Sequence, residues 1–104
     1  MNFGLTNDSV DKIKKVFAAY PEVSEAILYG SRAKGNFKRG SDIDITLKGE
    51  GLDLCKLAKI SNQLDDLSLP YTFDFSIYNQ ITNEELLEHI NRVGAIFYSN
   101  QQPS

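Results

Sequence analysis

Between Ser41 and Leu47 the chain alternates residue by residue, with Ile43, Ile45 and Leu47 on one side and Asp42, Asp44 and Thr46 on the other. Successive side chains of a strand point to opposite faces, so this period describes a strand with one face in a core and one open to water. Tyr71 to Tyr78 repeats it, with Phe73, Phe75 and Ile77 facing in and Thr72, Asp74 and Ser76 facing out. Such strands form a sheet whose apolar face must be covered by another layer.

The remaining segments supply that layer. From about Asp8 to Tyr20, Val10, Ile13, Val16, Phe17 and Tyr20 fall at helical spacing, with Lys12, Lys14 and Lys15 toward solvent and Pro21 at the end. Glu25 to Tyr29 reads as a short strand broken by Gly30, and Ser31 to Gly40 as a turn region with a helical first turn after Gly30. Leu57, Ile60, Leu64 and Leu67 mark a second helix that stops before Pro70. Thr82 followed by Glu85 is a capping-box signature. It opens a third helix with Leu86, Ile90 and Val93 on the buried side; Gly94 ends it, and Ala95 to Tyr98 adds a short last strand. The expected class is therefore α/β (α+β), a sheet with its helices packed on one face. With 104 residues the chain fits one domain, 1–104, with a polar tail from about 99.

Composition narrows the function classes. Apolar residues make up 41% and charged residues 24%, a globular balance rather than a disordered one. A net charge of −3 offers no general attraction to nucleic acid, so direct DNA binding is not expected. Cys55 is the one cysteine in these residues, which rules out a disulfide or a cysteine zinc site within them; it reads as a small apolar filler. Met1 to Thr6 lacks the basic-then-apolar pattern of a signal peptide, and no apolar run approaches bilayer length. The expectation is a cytoplasmic protein with no membrane partner.

The chemistry lies on the polar faces. Asp42 and Asp44, two apart on a strand, share a face, and Asp74 joins them if the two strands are neighbours. Two carboxylates about 5 Å apart repel by roughly 3 kcal/mol at an effective dielectric near 20. A hard cation offsets that repulsion, and Mg²⁺ prefers carboxylate oxygens together with substrate phosphates. Directly after a strand comes Gly30-Ser31-Arg32-Ala33-Lys34-Gly35. Gly30 permits close backbone approach to a phosphate, the Ser31 hydroxyl and turn N–H groups can donate to it, and Arg32 and Lys34 add positive charge. With Lys38 and Arg39, four of the eight residues from 32 to 39 are cationic. His89, the one histidine, reads as a surface side chain, and Ile96-Phe97-Tyr98 as core rather than interface.

Gly30-Ser31, the short basic loop, Ser41-Asp42-Ile43-Asp44-Ile45 and the later strand aspartate together resemble the signature of the DNA polymerase β-like nucleotidyltransferase superfamily. In compactness the chain looks like its minimal nucleotidyltransferase branch. The resemblance implies a mixed sheet and a nucleoside triphosphate, ATP above all, whose β/γ phosphates are held by Gly30 and Ser31. It implies that Asp42 and Asp44 bind metal, two Mg²⁺ ions or Mn²⁺ in their place, and that Asp74 is a ligand or helps deprotonate the acceptor hydroxyl. Minimal members often act with a separately encoded helical partner, HEPN. In such toxin–antitoxin pairs the nucleotidyltransferase neutralises a ribonuclease toxin, some by adding AMP to a tyrosine. The function implied is a protein adenylyltransferase antitoxin in a hetero-oligomer. A steric or nucleotide-binding antitoxin without turnover and a transferase acting on a small hydroxylated molecule are the competing readings.

Overall fold

Among the described residues four strands form one sheet, with the first two in its middle, the third beside the second and the fourth beside the first. The computed structural model describes residues 5–30, 42–69 and 71–100. In chain order the elements are α1 (Asn7–Ala18), β1 (Glu25–Tyr29), β2 (Ile43–Lys48), α2 (Leu54–Asp66), β3 (Phe73–Ile77), a single 3₁₀ turn (Tyr78–Gln80), α3 (Glu84–Val93) and β4 (Ala95–Ser99). β1 runs antiparallel to both β2 and β4, whereas β2 and β3 are parallel, so the sheet is mixed as the resemblance implied. The expected turn from Ser31 to Gly40 lies outside the described residues.

α1 starts where Thr6 accepts a hydrogen bond from the Ser9 backbone N–H at 3.1 Å, and Asp8 pairs with Lys12 one turn on. Its stripe of Ile13, Val16 and Phe17 packs with Ile60 and Leu64 of α2 over Ala26, Leu28, Ile43, Ile45 and Leu47. Phe17 is the hub: its ring meets Phe75 and Phe97 edge-on, with centroids 6.3 and 6.4 Å away, and Tyr98 at 5.7 Å. A bulge in the β1–β4 ladder, between Ala26 and Ile27, lets adjacent residues Phe97 and Tyr98 both reach this cluster. Ile96 is left 63% exposed, so the apolar run is core at two of its three positions.

The third helix departs from expectation. Its Ile90 packs with Ile27 and Tyr29, which point away from Ala26 and Leu28, so α3 covers the opposite face of the sheet from α1 and α2. β1 is thus buried on both faces. Its sequence carried that signal, since Glu-Ala-Ile-Leu-Tyr does not alternate. The α3 cap is Asn83 rather than Thr82: the Asn83 side chain accepts from Leu86 N at 3.2 Å, and Gly94 ends the helix. Cys55 is exposed rather than buried, because it lies out of phase with the Ile60–Leu64 stripe. Among the described residues no helix is long and apolar enough to cross a membrane.

Candidate functional site

β2 sends Ile43, Ile45 and Leu47 into the main core, so Asp44 and Thr46 project from the opposite face, the one α3 partly covers. In the parallel β2–β3 ladder Asp44 stands beside Asp74 and Thr46 beside Ser76. In the antiparallel β1–β2 ladder Asp44 stands beside Tyr29. The two strand aspartates expected to be neighbours are neighbours, and Asp42 lies just ahead of them at the entrance to β2. Asp42 and Asp74 are exposed, whereas Asp44 is half-buried.

Packing around Asp44 is close. Gly30 follows β1 with φ +82°, and a Cβ there would overlap the Asp44 Oδ2 atom. Only glycine suits both the backbone angle and the carboxylate. Ser76, two residues on from Asp74 along β3, has a buried hydroxyl oxygen.

Burial, then the charges of Asp74 and Asp42, push the Asp44 carboxyl above its ordinary range, and His89 pulls it back. Burial, and the charges of Asp44 and Asp74, likewise raise the Tyr29 phenol, against a lowering contact from the Ser76 hydroxyl. These shifts report concentrated negative charge beside buried surface, the condition a bound cation relieves. The donors are all carboxylate oxygens on one face, a set that suits Mg²⁺ by chemistry. Among the described residues no three carboxylate, imidazole or thiol groups are gathered closely enough to ligate one ion as they stand. A shared ion would therefore need the exposed Asp42 and Asp74 side chains to turn toward Asp44.

His89 differs from its surface reading. It is half-buried, and its ring lies edge-on to Tyr29 with centroids 6.2 Å apart. The sequence signal was its place beside Ile90 on the buried side of α3. The phosphate-turn candidates Ser31, Arg32 and Lys34, with Lys38, Arg39 and Ser41, lie outside the described residues; Gly30 alone of that motif is placed, at the Asp44 carboxylate.

Comparison with known proteins bears on the family and the fold. The family model described as Polymerase beta, Nucleotidyltransferase matches residues 11–103. Among solved structures the chain is similar to one from a toxin–antitoxin complex with AMP-PNP, with a TM-score of 0.72, 24% identity, and 89% of this chain and 75% of that chain covered. A chain from a complex of a tri-AMPylated Shewanella oneidensis HEPN toxin with MNT antitoxin superposes with a TM-score of 0.68 and 20% identity, over 94% of this chain and 76% of that one. A chain from an MntA–HepT toxin–antitoxin complex gives 0.66 and 20%, over 93% and 75%. At these identities the structural likeness speaks for the fold. No curated protein matches the chain in sequence.

Proposed function

Because the chain belongs to the polymerase beta nucleotidyltransferase family, we propose that its carboxylate face transfers AMP from ATP to a hydroxyl of a helical HEPN-type toxin, and so serves as that toxin's antitoxin. The observation that carries the reading is the register of Asp44 beside Asp74 on one sheet face, with Asp42 two residues before Asp44 and the Asp44 carboxyl raised by burial and by the charges of Asp74 and Asp42. The AMP-PNP in the toxin–antitoxin complex of one structural neighbour and the tri-AMPylated toxin in the complex of another support the choice of nucleotide and partner.

Asp42 and Asp44, with Asp74, would hold Mg²⁺. Bound there, the ion would supply Lewis-acid stabilisation of the charge that develops on the phosphoryl oxygens. Gly30, lacking a side chain, would let the backbone come close to the triphosphate at the strand end, Ser31 would donate a hydrogen bond to a phosphate oxygen, and Arg32 and Lys34 would offset the charge of the β and γ phosphates. The acceptor oxygen attacks the α-phosphorus, a new P–O bond forms, the bond to the β-phosphate oxygen breaks, and pyrophosphate leaves. The acceptor proton passes to a carboxylate. Asp74, exposed on the edge strand β3, would accept it.

The test is an intact-mass measurement of a HEPN-type partner, with a tyrosine as the favoured acceptor, after incubation with this protein, ATP and Mg²⁺. Added AMP mass that disappears with Asp44→Asn, while the complex persists, is the expected result. A complex without added mass would replace the transferase by a binding antitoxin without turnover. Modification of a small hydroxylated molecule by this chain alone would point to a different acceptor class.

A further inference from the structure

α3 carries none of the candidate ligands, yet one of its side chains bears on them. The His89 ring meets Tyr29 edge-on, at 6.2 Å and 81° between planes, while the neighbouring Ile90 anchors the helix against Ile27 and Tyr29. Tyr29 is 8% exposed and stands opposite Asp44 in the β1–β2 ladder. Opposed residues in an antiparallel pair hold their Cβ atoms about 4.5–5.5 Å apart. The Tyr29 side chain therefore leaves the sheet beside that of Asp44, on the same face. Gly30 lies against the Asp44 Oδ2 atom, where a Cβ would overlap it, and Asp74 stands beside Asp44 on β3. His89 meets the Tyr29 ring from α3 on this face.

We propose that His89 is a positioning residue: by its edge contact it holds the Tyr29 ring, and the ring holds the Asp44 carboxylate in the orientation that nucleotide transfer requires. This inference rests on the reading of the carboxylate face as the transfer site. A ring free to swing would let Asp44 rotate into the vacated space and out of that orientation. The contact with Tyr29 is ring edge to ring, so the positioning role belongs to the aromatic shape of His89, separate from the charge by which His89 also acts on Asp44. α3 thus becomes part of the catalytic apparatus without supplying a group that touches substrate.

The test combines five variants with three readouts: the Asp44 resonance, transfer kinetics and the melting temperature. Carboxyl ¹³C NMR of Asp44 reads its environment directly, with or without activity, and transfer kinetics read kcat and KM separately. His89→Ala should shift the Asp44 resonance and lower kcat about tenfold or more, the range seen when a group supporting a ligand is lost, with KM for ATP within about twofold of wild type. His89→Phe, which keeps an aromatic edge, should restore both. The double variant His89→Ala with Tyr29→Leu should be no worse than Tyr29→Leu alone, because the two act in one chain of contacts. An unmoved Asp44 resonance and kcat in His89→Ala would overturn the proposal, as would additive losses in the double variant. Restoration by His89→Gln but not by His89→Phe would assign the role to the imidazole nitrogens instead. A matching loss of kcat and melting temperature that His89→Phe does not recover would make His89 a folding residue only. If wild type itself transfers nothing, the parent reading fails, while the Asp44 resonance still decides whether His89 positions that carboxylate.

Discussion

The two faces of the sheet are built to different ends. One is sealed: Ile43, Ile45 and Leu47 of β2 are fully buried under α1 and α2, around a cluster centred on Phe17. The other is half-covered: α3 closes over Ile27 and Tyr29 but leaves Asp42 and Asp74 exposed, with Asp44 between the dry and wet parts. The same strand, β2, serves both, and period two is what allows it. A residue on the sealed face contributes stability. The Asp44 carboxylate on the open face is disfavoured as an anion by burial and by the charges of Asp74 and Asp42. The division separates folding from function along a single six-residue strand.

The sealed face should yield the largest effect. Phe17→Ala removes the ring shared by three aromatic contacts and should cost about 3–5 kcal/mol, read as a shifted denaturant midpoint with unchanged slope. A loss under about 1 kcal/mol would mean that the core is not centred there. On the open face, Gly30→Ala strains a positive φ and drives a methyl into Asp44. It should weaken Mn²⁺ binding about 10- to 100-fold in a protein that still folds. Equal metal affinity would detach Gly30 from the site.

The smallest effect should run in the opposite direction. The Asp44 carboxyl is raised above its unfolded value by burial and by Asp74 and Asp42. The folded state therefore holds the proton more tightly than the unfolded chain does. The stability this gives is present below the unfolded value and is lost as pH rises through the window between the unfolded and folded values. At neutral pH the metal-free wild type lacks it, and Asp44→Asn should be slightly more stable and melt slightly higher, by about 1 kcal/mol or less in free energy for a group that is only half-buried. The difference should shrink as the pH is lowered through that window. A lower melting point for Asp44→Asn at neutral pH without metal would show that the carboxylate is stabilised where it stands.

The strands of the open face were legible because alternation is a local signal. Ile43, Ile45 and Leu47 had to share a face, which placed Asp42 and Asp44 together on the other. The neighbourhood of Asp44 and Asp74 needed topology as well, and the parallel β2–β3 pairing supplies it. The side taken by α3 was harder to see. Leu86, Ile90 and Val93 show that the helix buries a stripe, yet not which face of the sheet receives it. Only the unbroken apolar run Ala26–Tyr29 of β1 hinted that both faces needed cover. His89 was misread for the same reason: its partner Tyr29 lies 60 residues away in sequence. The Asn83 cap was a matter of one residue, since Thr82 and Asn83 both carry a side-chain acceptor.

The most direct test of the divided sheet is calorimetric titration of Mn²⁺, with and without ATP, into wild type and into the double variant Asp42→Asn, Asp44→Asn. The account predicts binding to wild type that ATP strengthens, a melting temperature that rises with ligand, and no binding to a double variant that remains folded. Absence of metal and metal–ATP binding in wild type, or equal binding by the double variant, would contradict it.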